Sequence, residues 1–271
     1  MAALPQALPA LEEATSPHRR ASEQARLSLS HWDRLDELSS LSPEELAQRS
    51  AEIAEVMLRD EDVLLRWQAL HLLRNLGPVE FGRRSAQLVQ VALRDSDADL
   101  RLQALQMLGK LGPEELGRHS KQLMQVSMSD SNPDARREAL CALGRLDPAE
   151  LAAYSQELMD VVLYEVYLPA CRVALALLGR LGPEGLGSHS EQLVRVLLKD
   201  SAPAAVRRKA LEVLSGLGSE QLGKHSKQIA QVSQRDPDTA VRRRALEIVG
   251  ELEPERAGEL RQQMWERMQG A

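Results

Sequence analysis

The sequence predicts an all-α protein, a right-handed α-α superhelix of two-helix repeats with capping helices, and three observations carry that prediction. A ten-residue phrase recurs at a nearly constant interval along the chain. The composition is rich in Ala, Leu, Glu, Arg and Gln, residues that lose little on entering a helix. Aromatic residues are scarce: one Phe, three Tyr and three Trp among 271 residues, or 3%. Sheet sandwiches and barrels draw on aromatic and β-branched side chains, so this chain is a poor candidate for one.

The phrase reads LSPEELAQRS from Leu41, LGPVEFGRRS from Leu76, LGPEELGRHS from Leu111, LDPAELAAYS from Leu146, LGPEGLGSHS from Leu181 and LGSEQLGKHS from Leu217. A partial copy, LEPERAGEL, starts at Leu252, so the intervals are 35, 35, 35, 35, 36 and 35. Such a fixed period is the signature of a repeat array. Six units follow, at residues 41–75, 76–110, 111–145, 146–180, 181–216 and 217–251, with the extra residue in the SAPAAVRR stretch of the fifth.

The third unit shows how each one is built. Pro113 suits a first helical turn, where its missing N–H costs nothing, and Glu114 and Glu115 favour a helix N-terminus. Leu116, Ser120, Leu123 and Ser127 then fall on one helical face. DSNPD interrupts the helix, and a second one from Pro133 buries Ala135, Ala139, Leu140 and Leu143 before Gly144 ends it. Helices of roughly 15 and 12 residues with short turns account for the period. Terminal units must shield an apolar face and should therefore look different. Residues 26–40 read as a degenerate capping helix, with Trp32, Leu35 and Leu38 one period ahead of Trp67, Leu70 and Leu73. Residues 252–271 read as a lone capping helix with Met264, Trp265 and Met268 as its lid, and residues 1–25 as a partly disordered N-terminal segment.

The units resemble HEAT repeats. The residues that carry the resemblance are an Asp in the turn and an Arg early in the second helix: Asp60 and Arg66, Asp95 and Arg101, Asp130 and Arg136, Asp200 and Arg207, Asp236 and Arg242. An Ala-Leu pair follows each Arg, as at Ala69-Leu70 and Ala139-Leu140. The resemblance spans residues 41–251 and implies that these Asp and Arg residues form a ladder between neighbouring units. The period of 35 is shorter than the usual ~40–47, which makes this a compact variant. The T-P-L-H-x-A phrase of ankyrin repeats is absent, and tetratricopeptide repeats need aromatic residues this chain lacks.

Charge and motif content narrow the function. Lys plus Arg is 34 and Asp plus Glu is 40, a formal net charge of −6, which gives no global attraction to nucleic acid or anionic membrane. Cys141 and Cys171 match neither a disulfide framework nor a zinc site and read as reduced thiols of an intracellular, cytoplasmic protein, with an organelle left open by HRRASEQARLSLS. No apolar run is long enough to span a membrane. His119, His189 and His225 precede the repeated Ser, but Arg49, Arg84 and Tyr154 hold the same place elsewhere. One or two units between histidines is roughly 10 Å or more, too far to share a metal. The Ser reads as a small residue at a close helix approach, able to bond a carbonyl one turn back. The His-Glu dipeptides of HEAT-like hydroxylases are missing. We therefore expect no catalysis, no cofactor, no metal and no small-molecule substrate.

Two places invite a partner. The fourth unit has Glu165 and Cys171 in place of Asp and Arg, and it holds all three tyrosines, Tyr154, Tyr164 and Tyr167. These fill the gap left by a missing rung or form a contact site. The second place is the face of the second helices, which line the concave side of HEAT arrays. Ala139, Leu140 and Leu143 point inward, so Arg137, Cys141 and Arg145 face the groove. Equivalent positions run Trp67, His71, then Leu102, then Arg137 and Arg145, Arg172 and Arg180, Arg208 and Arg243. The groove begins apolar and turns basic. This pattern points to a protein-interaction scaffold or adaptor that takes an extended, acidic protein segment. An accessory subunit of a large assembly is the alternative, and nucleic-acid backbone binding ranks below both.

Overall fold

A computed structural model describes residues 31–269 of the chain, with side chains through residue 262. The lid residues Met264, Trp265 and Met268 lie outside the described side chains, as does all of the segment 1–25. The described backbone is all helix and turn, with no strand, and it divides into two compact units, residues 1–111 and 112–271.

Each repeat differs from expectation in one respect: its first helix is two helices. In the third repeat Pro113–Arg118 ends at His119, and Ser120–Ser129 starts afresh. The joint residue sits at φ −113°, ψ 7°, outside the α-helical basin. The same break occurs at Arg49, Arg84, Tyr154, His189 and His225. The Ser after the break is thus the first residue of a new helix. Its hydroxyl donates to a carbonyl that the short helix leaves free, Ser120 to Gly117 at 2.9 Å and Ser190 to Gly187 at 3.0 Å. The short helix contributes one anchor to the core in each repeat: Leu46, Phe81, Leu116, Leu151, Leu186 and Leu222 are all buried.

The second helices run Val63–Asn75, Ala98–Leu108, Pro133–Leu143, Leu168–Gly179, Ala204–Ser215 and Thr239–Leu252. A side chain caps four of them. Asp62, Asp97, Asn132 and Asp238 each accept backbone N–H groups of the first turn. Tyr167 and Pro203 supply no such cap in repeats four and five. Within residues 112–271 the second helices pack on one another more extensively than the first helices do. This places them on the inner side of that stack.

Ladder contacts join neighbouring repeats at several places, and one lies further toward the N-terminal end than the sequence suggested. Arg66 donates to both carboxylate oxygens of Asp95 at 2.9 Å and to the carbonyl of Asp60 at 3.0 Å. Arg207 grips Asp236 at 2.7 and 2.8 Å and the Ala202 carbonyl as well. In each case the arginine closes its own turn with one nitrogen and clamps the next repeat with two, a bidentate charge-assisted contact. Arg101 donates to the Asp95 carbonyl at 2.9 Å and Arg242 to the Asp236 carbonyl at 2.6 Å. One period before Arg66, His31 meets the carboxylate of Asp60, so the leading cap supplies its own rung. Leu35 and Leu38 of that cap are fully buried, whereas Trp32 is 36% exposed and reaches Asp62 at 3.4 Å. At the other end Pro254–Gln269 packs on Thr239–Leu252 through Ala257 and Leu260.

Candidate functional site

The inner face of residues 112–271 is a row of second helices in which buried and solvent-facing positions alternate with helical period. Ala139, Leu140 and Leu143 are buried, as are Ala174, Leu175 and Leu178, and Ala210, Leu211 and Leu214. The same helices leave Arg145, Arg172, Arg180, Arg208 and Arg243 exposed and Arg137 half-buried. The arginine positions foreseen from spacing are therefore at the surface, but they are not equally available.

Arg137 is held on its own helix. It donates to Glu138 at 3.0 Å, lies 3.9 Å from Asp134, and reaches Cys141 Sγ at 3.6 Å. Arg180 is spent on the backbone of the preceding repeat: it donates to the Leu146 carbonyl at 2.7 Å and also to that of Gly144. It thereby satisfies carbonyls past the end of Pro133–Leu143. Arg243 lies 3.8 Å from Glu247. Arg145, Arg172 and Arg208 have no ion pair among the described residues. Trp67 and His71 line a small hollow of about 90 Å³ with Leu70, Arg74, Gln103 and Met107. His71 Nδ1 meets Arg74 at 3.2 Å, and Leu102 is half-buried on its helix.

Repeat four corrects two readings. The rung to repeat three is not missing, because Glu165 replaces Asp as acceptor and takes two bonds from Arg136 at 2.5 and 2.9 Å. The Arg136 guanidinium is the main reason the Glu165 carboxyl is held below the ordinary 4.5, with burial opposing it. What is missing is the rung to repeat five. Cys171 stands where the arginine would be, and its thiol donates to the Glu165 carbonyl at 3.1 Å. Burial, and then the charge of Glu165, push that thiol up to about 11. Asp200, expected as the facing ladder residue, is exposed and has no ion pair among the described residues. The physical cause is the inserted residue of the fifth repeat. Ser190–Leu198 stops one residue short of its counterparts, Lys199 takes the cap position, and Asp200 swings into solvent.

The three tyrosines divide between roles. Tyr154 shares a 2.7 Å hydrogen bond with Ser120, and Tyr167 donates to Asp134 at 2.7 Å, so both fasten repeat four to repeat three. Arg84 bonds Ser50 at 3.2 Å in the position equivalent to Tyr154. Tyr164 is 78% exposed, and Val166 beside it is 94% exposed. Spacing could not distinguish these roles, because all three tyrosines sit in one broken unit. Lys199 and Val166 are not singled out by the sequence, because residue type varies among the units at both repeat positions. No group of three or more His, Cys, Asp or Glu side chains able to hold a metal occurs among the described residues, and none of their helices is long and apolar enough to cross a membrane.

The family model for HEAT repeats matches residues 85–163. A chain of a structure describing Kap95p binding to RanGDP is similar over 77% of this chain and 28% of its own length, at 17% identity and a TM-score of 0.42. Human deoxyhypusine hydroxylase in complex with glycerol is similar over 76% of this chain and 97% of its own, at 18% identity and a TM-score of 0.31. The chain thus spans under a third of the first of these. No curated protein sequence matches it.

Proposed function

Because the chain carries HEAT repeats, matched over residues 85–163, we propose that it is a non-catalytic interaction scaffold whose inner face in residues 112–271 takes an extended acidic segment of a protein partner. The observation that carries this reading is the row Arg137, Arg172, Arg208 and Arg243, one residue per repeat at the same helical position. Of these, Arg172 and Arg208 are exposed and without an ion pair among the described residues.

Helices packed side by side lie roughly 8–10 Å apart. A segment in the extended polyproline-II conformation has three residues per turn and advances about 3.1 Å per residue, so every third side chain lies on one face and three residues cover about 9 Å. A segment with a carboxylate at every third position would therefore present one acid to each repeat. Inner faces of helical repeat arrays are extended surfaces suited to this kind of partner. Arg145 would add a charge at the near end.

The test uses a fluorescent twelve-residue peptide with Glu at every third position. Binding should be measurable by anisotropy at low salt and weaken as salt screens the charges. Arg172→Glu with Arg208→Glu should abolish it while leaving the helical spectrum intact. If the peptide binds that variant as well as wild type, the inner-face reading fails. If random duplex DNA binds more tightly than the peptide, the surface is a backbone-phosphate site instead.

A further inference from the structure

The broken rung leaves a cavity. At Arg66, Arg136 and Arg207 an arginine stem occupies the space between one second helix and the next turn. Between repeats four and five Cys171 is too short to do so, and the insertion has carried Asp200 away. The result is a hollow of about 250 Å³ at the turn edge of the stack. Its wall includes Val162, Leu168, Cys171, Val196, Ala202 and Val206. Its rim carries Tyr164, Val166 and Lys199, all exposed.

Polarity decides what can enter. The two charged groups of a normal rung are gone, and the one thiol inside already donates to the Glu165 carbonyl. Glu165 itself is engaged by Arg136. A charged group entering would lose water and find no free opposite charge in the wall, whose remaining polar side chain is the Ser201 hydroxyl. An apolar side chain loses nothing. The volume is below the ~300 Å³ at which pockets for whole small molecules begin, and it suits a single anchoring side chain. Outside, Tyr164 and Val166 offer bare apolar surface beside the mouth, the arrangement in which an inserted anchor is shielded from water. Lys199 is the one lining cation, and no ion pair holds it among the described residues.

We propose that this notch is a second docking site, distinct from the inner-face arginines, for a partner segment that inserts one large aliphatic or aromatic side chain and places a carboxylate beside it on Lys199. The site exists because repeat four lacks its ladder arginine and the insertion in repeat five has moved Asp200 out of the rung position.

A random peptide library displayed on phage and selected on the full chain tests this directly. Selected peptides should converge on a large apolar residue within two positions of Asp or Glu. Synthetic copies should lose at least tenfold in affinity for Cys171→Arg, whose stem fills the hollow. Lys199→Glu should keep the apolar preference and lose the acidic one. Should Cys171→Arg fail to fold, Tyr164→Ser with Val166→Ser at the exposed rim should show the same loss. Arg172→Glu with Arg208→Glu should leave these peptides bound, which separates this site from the inner face. Absence of convergence, or peptides that bind the filled and rim variants as well as wild type, overturns the proposal. So does loss of the peptides on the inner-face variant.

Discussion

Arg207 and Arg118 both pair with carboxylates, and the difference between them is burial. Arg207 and Asp236 are 5% and 4% exposed at the side chain, whereas Arg118 is 61% exposed where it meets Glu114. Arg207→Ala should cost on the order of 3–5 kcal/mol, because it strands the Asp236 carboxylate and the Ala202 carbonyl away from water. Arg118→Ala should cost under about 1 kcal/mol. Urea unfolding of the two variants checks the contrast. Acid gives a second residue-scale test. Glu165 is held below 4.5 by Arg136, so its contribution to stability is full above that value and is lost as pH falls through the depressed one. Glu165→Gln should therefore lower the melting temperature at pH 7 but leave it nearly unchanged near pH 2. The reverse pattern would mean that the Arg136 contact contributes nothing. The thiol of Cys171, pushed to about 11, should resist alkylation by iodoacetamide at neutral pH until the chain unfolds. At this scale the residues expected in the ladder include Arg66, Asp95, Arg207 and Asp236, which pair, and Asp200, which does not, while Glu165 and His31 take places that spacing did not assign. Arg180 and Arg172 look alike in spacing, and only packing shows that one is bonded to carbonyls of the previous repeat.

Helix existence was legible from period and composition; helix continuity was not. The break before each Ser is a backbone event at a residue as varied as Arg, His or Tyr, so no residue type announces it. The turns between repeats show the same limit. Gly77 has φ +84°, a conformation that strains any other residue, whereas Gly112 in the equivalent turn of the next repeat has φ −69°. An added Cβ meets nothing within 4 Å at either position, so backbone strain alone separates them. Gly77→Ala should destabilise by about 1–2 kcal/mol. Gly112→Ala should be neutral or stabilise by up to about 1 kcal/mol through the unfolded chain. Equal melting temperatures for the two variants would contradict the assigned turn geometry. A single inserted residue had the largest consequence at this scale. It shortened Ser190–Leu198, displaced Asp200 and opened the notch, and the repeat alignment alone registered it only as an interval of 36 instead of 35.

For the molecule as a whole, few aromatic residues proved no obstacle, because a stack of thin repeats needs only Leu, Ala, Val and Met contacts between neighbours. Ladder arginines such as Arg66 and Arg207 are buried and bind repeat to repeat, whereas Arg172 and Arg208 are exposed without an ion pair among the described residues, and we propose that these take a partner. That division is the central claim, and the spacing of the ligand tests it most directly. Two peptides of identical composition, one with Glu at every third position and one with the same glutamates in a single block, should be compared by anisotropy against the chain. A partner laid across successive repeats requires the evenly spaced peptide to bind several-fold more tightly, with the difference vanishing in Arg172→Glu/Arg208→Glu. Equal affinity for the two peptides would show that the arginines act as diffuse charge, and the account of an extended segment read repeat by repeat would be wrong.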